Sequence, residues 1–309
     1  MDTTQSRWCD GAQGERATPV NFQQIQAKRN ADGQFYQGDF YCYLPQKQPA
    51  NSTSGEGVMK RWAAVLRLVL AAIGLAFWGL PAVAQSVVQD IGGAQVLFSG
   101  PTNSRAIVLV FAGGDGIVEI ASNGAIGHGR NNFLLRTQPL WQAQGLAFMT
   151  LASSSSLLGR RHTPAYAEMI GRAIDFARTR ANAPVWLVGT SMGSIAAANG
   201  AAHLPGKVAG VVLTSSVAGG RAPETVFDSD LGAIAVPALV VSNRGDTCPS
   251  AGPGFAPQIL AALTRSPRKE IIYVESHELR SDPCEAMSPH GYLGIESDVV
   301  QRISAWIGR

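Results

Sequence analysis

Residues 184–201 read Pro-Val-Trp-Leu-Val-Gly-Thr-Ser-Met-Gly-Ser-Ile-Ala-Ala-Ala-Asn-Gly-Ala and decide how this chain folds. A short apolar run at 185–188 meets an alanine-rich run at 194–202 within this stretch. The first run has the length and composition of a buried strand, and the second is typical of a helix. The sequence therefore predicts a strand that passes into a helix through a sharp turn at 189–193.

The predicted turn matches the pattern G-x-S-x-G at Gly189, Ser191 and Gly193. Glycines two residues on either side leave room for a strained serine whose hydroxyl stands clear of the sheet. This serine lies at a helix N-terminus, with the N–H of Met192 beside it as an oxyanion donor. These features predict that Ser191 is a nucleophile, although the chain contains 34 glycines and an ordinary glycine-rich turn is the alternative.

Apolar runs and helical patterns alternate along the rest of the chain. The runs 106–111 and 146–151 are continuously apolar, as in strands that are covered on both faces. We therefore expect a doubly wound α/β fold, a mostly parallel sheet with helices on both faces. Further strands are predicted at 87–88, 95–98, 208–213, 236–242 and 270–274, and helices at 132–144, 166–180, 194–202, 258–263 and 299–307.

The connection after the strand 208–213 predicts an open site. About 22 residues separate that strand from the next one, which is short for an inserted domain. We therefore expect no large lid over the site.

Residues 59–84 have the pattern of a secretory signal peptide. Lys60 and Arg61 follow Met59, an apolar core spans 68–80, and Ala82-Val83-Ala84 supplies small residues for cleavage. We predict cleavage after Ala84 and a periplasmic or secreted protein. The alternative is an uncleaved anchor at 62–80, which would place Arg67 in the membrane at considerable cost.

Residues 1–58 are polar and lack helical or strand periodicity, so they are not expected to form a core of their own. Since a signal peptide acts at an N-terminus, we interpret this stretch as an upstream extension and Met59 as the true start. A genuine disordered tail is the alternative. Residues 85–309 then form the one predicted folded domain, of a size that suits a single α/β unit.

Charge and cysteine content limit the partners of this domain. From Gln85 onward the chain has 17 Lys and Arg against 16 Asp and Glu, without a basic run interleaved with aromatic residues, so nucleic acid is not an expected partner. Of the four cysteines, Cys248 and Cys284 lie in the predicted mature chain. An even pair in an exported protein favours a disulfide.

An attacking serine needs a base, and the chain offers five histidines. In a fold with a nucleophile turn of this kind the order is serine, acid, histidine, so the base comes late in the chain. This order leaves His277 and His290. We favour His290, because Ser288-Pro289-His290-Gly291-Tyr292 places it in a loop just before the last helix. His277 remains the alternative.

The acid is expected after a strand that lies between the serine and the histidine. Asp246 follows the predicted strand 236–242, where its carboxylate could orient the imidazole. A disulfide between Cys248 and Cys284 would tie this acid loop to the loop of His290. Three other loop aspartates are rivals for the role, although a solvated aspartate is the ordinary alternative for each: Asp228, Asp230 and Asp282.

A second oxyanion donor is expected in the glycine-rich loop that follows the strand 106–111. The candidates are Gly113, Gly114 and Asp115, because glycines let the backbone approach a substrate oxygen closely. The alternative is an ordinary turn at a strand end.

Four motifs together resemble an exported bacterial member of the α/β-hydrolase superfamily, of the esterase or dienelactone-hydrolase kind. They are Phe111-Ala-Gly-Gly-Asp115, Gly189-Thr-Ser-Met-Gly193, Asn243-Arg-Gly-Asp246 and Ser288-Pro-His-Gly-Tyr292. The resemblance covers nearly all of 85–309 and implies a serine hydrolase with Ser191 as nucleophile, His290 as base and Asp246 as acid. One departure concerns the oxyanion hole, because Ala112 stands where many relatives carry histidine.

The sequence thus predicts hydrolysis of an ester-like bond through an acyl-enzyme, with Met192 and Gly114 N–H groups holding the oxyanion and without a metal or cofactor. The expected partner is a small or surface-accessible ester, and no membrane span is expected after signal cleavage. The alternative function is an inactive binding or accessory protein of the cell envelope built on the same scaffold.

Overall fold

Eight strands form a single sheet in the computed structural model, which describes residues 85–309. The predicted signal segment 59–84 and the extension 1–58 lie outside the described residues. The strands are β1 Gln85–Asp90, β2 Gln95–Gly100, β3 Ala106–Phe111, β4 Leu146–Leu151, β5 Val185–Thr190, β6 Gly210–Thr214, β7 Ala238–Asn243 and β8 Lys269–Val274. The helices are α1 Phe133–Arg136, α2 Gln138–Ala143, α3 Pro164–Arg180, α4 Gly193–His203, α5 Ala256–Ala262 and α6 Glu296–Ile307.

The strand order in the sheet is β1-β2-β4-β3-β5-β6-β7-β8. From β4 to β8 all neighbours are parallel, whereas β1 and β2 pair antiparallel with each other and β2 pairs antiparallel with β4. The chain returns to the sheet through helices after β4 and β5, as parallel neighbours require. The predicted mostly parallel α/β fold is confirmed.

Helices cover both faces of the sheet, which explains why its central strands are apolar at every position. In β3, Ile107 and Leu109 pack into a core with α3, α4 and α5, whereas Val108 and Val110 pack into a second core with α1, α2 and α6. All six residues of β3 are buried. Successive side chains of a strand point to opposite faces, so a strand between two cores is apolar throughout.

The predicted helix 132–144 is wrong as a single element, because the chain forms α1 and α2 with a break at Thr137. The hydroxyl of Thr137 donates to the carbonyl of Phe133 at 2.8 Å and occupies an acceptor at the end of α1. Pro139 then lies in the first turn of α2, a position that proline favours because its missing N–H has no partner there. The two short helices pack Phe133 and Trp141 into the core.

The opening strands are longer than predicted, because β1 and β2 pair over six residues as a hairpin. Gly92 and Gly93 turn the chain between them with φ of +80° and +97°, a conformation that favours glycine.

The connection between β6 and β7 is short and contains two single turns of 3-10 helix, Val226–Asp228 and Leu231–Ala233. The described part of the chain therefore has no large lid, as predicted. Within residues 85–309, no helix has both the length and the apolar character needed to cross a membrane.

Candidate active site

Ser191 lies on the turn between β5 and α4, at the carboxyl edge of the sheet. Its φ is +56°, a left-handed conformation that is uncommon for a residue with a side chain. The N–H of Ser191 donates to the carbonyl of Thr214 at the end of β6, at 2.9 Å. Because β6 holds the turn in this way, Ser191 keeps a strained conformation with its side chain in a cleft.

The two glycines of the turn are required by close backbone contacts. A Cβ atom on Gly193 would collide with the carbonyl oxygen of Phe111, and one on Gly189 would collide with the backbone of Gly193. The start of α4 therefore lies directly against the end of β3. This contact brings the loop that follows β3 next to Ser191.

His290 and Asp246 form a buried hydrogen-bonded pair. Nδ1 of His290 lies 2.8 Å from Oδ2 of Asp246, and the two side chains are 5% and 1% exposed. The other carboxylate oxygen accepts the N–H of Cys248 at 2.9 Å. A carboxylate accepts hydrogen bonds, so this contact favours the tautomer in which Nδ1 carries the proton and Nε2 is the acceptor.

Nε2 of His290 is buried and has no hydrogen-bond partner within residues 85–309. His290 and Ser191 line the same cleft. The hydrogen bond between a catalytic histidine and its serine is often long before a substrate is bound, and it tightens in the complex. The arrangement therefore brings an imidazole and a hydroxyl into one cleft.

Three contacts fix the loop that carries His290. The hydroxyl of Ser288 accepts the N–H of His290 at 3.1 Å, and the amide of Asn243 donates to the carbonyl of Pro289 at 2.7 Å. Tyr292 has a φ of +59° and donates its hydroxyl to the carbonyl of Val241 at 2.9 Å. Burial raises the pKa of Tyr292 above its usual value, so this phenol remains a neutral donor.

The loop after β3 passes directly beside Ser191. A Cβ on Gly113 would lie 2.7 Å from Cβ of Ser191, and Gly114 has a φ of +61°. The backbone N–H groups of Gly114 and Met192 have no hydrogen-bond partner in the described part of the chain. Gly114 and Met192 both line the cleft that contains Ser191, so two backbone donors without partners lie near the serine.

The cleft that contains these groups has a volume of about 1010 Å³. Its walls come from the loop after β3, from the segment before α1, from the β6–β7 connection and from the His290 loop. Apolar and charged side chains both line it, among them Ile117, Glu119, Arg130, Met192, Val217 and Glu285.

The alternative residues lie elsewhere. His277 is 74% exposed and pairs with Glu275, and it does not line the cleft. Asp228 and Asp230 accept backbone N–H groups at the ends of the two 3-10 turns. Asp282 is exposed on the surface. The structure thus brings Ser191, His290 and Asp246 together and leaves these four apart.

Cys248 and Cys284 form a disulfide with a Cα–Cα distance of 4.7 Å. It joins the loop of Asp246 to the loop of His290, and both cysteines line the cleft. Asp246, Cys248 and His290 are also the one cluster of metal-ligand type in residues 85–309. Because the sulfur of Cys248 is bonded to Cys284 and not available as a thiolate, this cluster does not suit a metal ion.

Two solved structures share this arrangement of strands and helices. The dienelactone hydrolase of Anabaena variabilis is 18% identical with a TM-score of 0.50, and the match covers 72% of this chain and 97% of that one. The acylaminoacyl peptidase of Pyrococcus horikoshii is 12% identical with a TM-score of 0.51, and the match covers 76% of this chain and 43% of that one. The chain has the α/β-hydrolase fold. No protein-family model and no curated protein matches the sequence.

In an α/β-hydrolase fold the turn G-x-S-x-G and the order serine, acid, histidine place three side chains at one edge of the sheet. Ser191, Asp246 and His290 occur in that order, after β5, after β7 and before α6. The common edge follows from the parallel strands, because their carboxyl ends meet there.

The sequence analysis missed two buried residues, Arg161 and Glu224, that support the loop after β3. Arg161 and Glu224 form a buried ion pair at 2.9 Å, and Arg161 also donates to the carbonyl of Gly114 at 2.8 Å. The available signal was the basic run Arg160-Arg161-His162, which follows β4 at the edge of the sheet where the loops of an α/β-hydrolase site meet.

Proposed function

We propose that the protein is a serine hydrolase that cleaves carboxylic esters through an acyl-enzyme. Ser191 is the nucleophile, His290 the general base and Asp246 the acid that orients it. The observation that carries this proposal is the buried 2.8 Å pair of His290 and Asp246. Nε2 of His290 has no partner within residues 85–309, and His290 lines the same cleft as Ser191.

In the first half of the reaction, Nε2 of His290 removes the hydroxyl proton of Ser191 as the oxygen attacks the ester carbonyl. Asp246 holds the imidazole in the required tautomer and stabilises the imidazolium that forms. The N–H groups of Met192 and Gly114 donate to the oxyanion. The alcohol then leaves with the proton from His290, and the acyl group remains on Ser191.

In the second half, His290 takes a proton from a water molecule that attacks the acyl-enzyme. The tetrahedral species collapses, the carboxylic acid leaves, and the proton returns to Ser191. None of these steps requires a metal or a cofactor.

The substrate class rests on the cleft and on the fold. The site has no large lid within the described residues, which favours a small or surface-accessible ester. The two solved proteins described above are named as a dienelactone hydrolase and as an acylaminoacyl peptidase, which supports hydrolysis of a carbonyl substrate.

We further propose that the protein acts outside the cytoplasm, in the periplasm or after secretion. The disulfide between Cys248 and Cys284 supports this location, because disulfides persist in oxidising compartments. The predicted signal peptide at 59–84 would deliver the chain there.

The test is covalent labelling of the purified full-length chain with a fluorophosphonate, which reacts with activated serines. We expect labelling of the wild type at Ser191, and loss of labelling in the Ser191→Ala and His290→Ala variants. A folded wild-type protein that takes up no label would contradict the proposal and favour an inactive binding protein.

A further inference from the structure

Arg161 is a buried arginine that the proposed chemistry does not use. It lies between β4 and α3 and is 0% exposed. One side of its guanidinium donates to Oε1 of Glu224 at 2.9 Å, and the other side donates to the carbonyl of Gly114 at 2.8 Å. Burying a charge pair is expensive, so it adds little to stability compared with apolar residues of the same volume. A role in placing Gly114 would explain its presence.

Further hydrogen bonds hold this ion pair rigidly. The second carboxylate oxygen of Glu224 accepts the N–H of Gly159 at 3.0 Å and lies 3.5 Å from Nδ1 of His162. The amide of Asn199, on the helix that follows Ser191, donates to the carbonyl of Arg161 at 2.9 Å. The backbone of Arg161 is therefore held against the helix that follows Ser191, and its guanidinium is held by Glu224.

The carbonyl that Arg161 binds belongs to the central peptide of a tight turn. The N–H of Gly116 donates to the carbonyl of Gly113 at 3.2 Å and closes the turn 113–116. In turns of this size the central peptide has two orientations that differ by a half rotation, and glycine permits both. A Cβ on Gly116 would lie 2.6 Å from the guanidinium, so Arg161 packs tightly against this turn.

The orientation of this peptide decides what the loop presents to the cleft. With its carbonyl turned toward Arg161, the trans peptide directs the N–H of Asp115 the opposite way. Gly114 and Asp115 both line the cleft, and their N–H groups have no partner within residues 85–309. In the opposite orientation a carbonyl oxygen would replace a donor and repel a developing oxyanion.

We propose that Arg161, held by Glu224, is a positioning residue that keeps the Gly114 carbonyl turned into the protein, so that this peptide presents the N–H of Asp115, and not a carbonyl oxygen, next to the Gly114 N–H that donates to the oxyanion. This inference rests on the proposed function, since it assigns a role in the same reaction. The Arg161–Glu224 pair also joins the β6–β7 connection to the loop that follows β3. Ala222 and Pro223, directly before Glu224, line the cleft.

The test compares steady-state hydrolysis of p-nitrophenyl acetate by the wild type and by Arg161→Lys, with kcat expressed per fluorophosphonate-titrated active site. Lysine keeps the charge but cannot hold Glu224 and the Gly114 carbonyl together in a fork. We expect kcat to fall about 10- to 100-fold with KM changed less than about threefold, which is somewhat below the effect of deleting an oxyanion donor. Affinity for phenylboronic acid, which forms a tetrahedral adduct on serine, should fall in parallel.

Glu224→Gln is the second variant. It tests the positioning role of the Arg161–Glu224 pair if replacements of Arg161 prevent folding. Glutamine retains one acceptor for Arg161 but cannot also accept the N–H of Gly159, so kcat should fall in the same direction by about 3- to 10-fold. The matched control is Arg268→Lys. Arg268 also donates to a backbone carbonyl, that of Trp306. It lies directly before β8, at the amino ends of the parallel strands and away from the cleft. The kcat per site of Arg268→Lys should therefore equal that of the wild type.

A wild-type kcat per site in Arg161→Lys and Glu224→Gln, or a change confined to KM or to the folded fraction, would overturn the positioning role. A wild-type protein that fails to react with the fluorophosphonate would instead overturn the proposed function and this inference with it.

Discussion

At the scale of single residues, the proposed chemistry depends on which nitrogen of His290 carries the proton. Asp246 accepts a hydrogen bond from Nδ1, which keeps Nε2 free to accept the proton of Ser191. Without the carboxylate charge, the imidazole would adopt the wrong tautomer or lose the stabilisation of its protonated form.

Replacing Asp246 with asparagine should lower kcat for p-nitrophenyl acetate by about 10³- to 10⁴-fold with little change in KM. Steady-state kinetics check this prediction, and Asp282→Asn is the matched control at an exposed aspartate of a nearby loop. If the two variants were equally active, Asp246 would not be the acid.

Gly113 is the second residue at which a small change should act strongly. A Cβ there would lie 2.7 Å from Cβ of Ser191 and 3.0 Å from the carbonyl of Thr190. Gly113→Ala should therefore push the oxyanion loop away from the serine and lower kcat at least tenfold, as misplacing a donor does (about 10- to 100-fold). At Gly254 nothing lies within 4 Å of the same added atom, and Gly254→Ala should retain wild-type kcat. Equal activity of both variants would argue against the close approach.

Part of this site was predictable from the sequence. The turn around Ser191 and the order serine, aspartate, histidine follow from local patterns, so these residues could be chosen from the sequence. The choice between His290 and His277 stayed open, because it depends on which loop folds back over the sheet. Arg161 and Glu224 belong to separate loops, and no local pattern indicates that they meet beneath Gly114.

At the scale of elements, the central strands β3 and β4 were easier to predict than the helical segment 132–144 between them. The predicted strands 106–111 and 146–151 match β3 and β4 at both ends, because burial on both faces makes every position apolar. The predicted helix 132–144 failed, since its apolar spacing continues across the break at Thr137. Apolar periodicity indicates which face of a helical segment is buried, but it does not indicate whether the helix is unbroken.

The packing of α3 on the sheet gives a prediction about stability alone. Ile170 is 0% exposed and packs against the sheet and α4. Ile170→Ala should lower the free energy of unfolding by about 2–5 kcal/mol, because it removes buried methylene groups and leaves a cavity. Urea titration measures this loss, and Glu168→Ala on the exposed face of the same helix should change stability by less than about 0.5 kcal/mol. The kcat per folded molecule of Ile170→Ala should equal that of the wild type. A lower value would contradict the prediction that this residue affects stability alone.

At the scale of the whole molecule, the disulfide joins two loops that follow different strands. Cys248 follows Asp246, and Cys284 precedes His290 by six residues. The bond limits the separation of these loops in the folded and unfolded chain. It should therefore stabilise both the fold and the geometry of the acid and base.

The Cys248→Ala, Cys284→Ala double variant should lose about 2–4 kcal/mol of stability together with part of its activity. Thermal unfolding and ester hydrolysis measured on the same preparations check this, with reduced wild-type protein as a second sample. Unchanged stability and activity after verified loss of the bond would remove the proposed role of the disulfide.

Export of the chain makes a separate prediction. If residues 59–84 are a cleaved signal peptide, the intact mass of natively produced protein corresponds to a chain that begins at Gln85. The protein should then be recovered from the periplasm or the medium. Detection of any of residues 1–58, or retention in the membrane fraction, would contradict this account.

The measurement that tests the central claim most directly is rapid acid quenching of the wild-type protein during turnover of a p-nitrophenyl ester, followed by mass analysis of its peptides. We expect a burst of p-nitrophenol equal to the active-site concentration and an acyl group on the peptide that contains Ser191. The same measurement is made on the His290→Ala variant. Ester turnover with no acyl adduct in either protein, or an adduct on a residue other than Ser191, would contradict the assignment of Ser191 as the nucleophile.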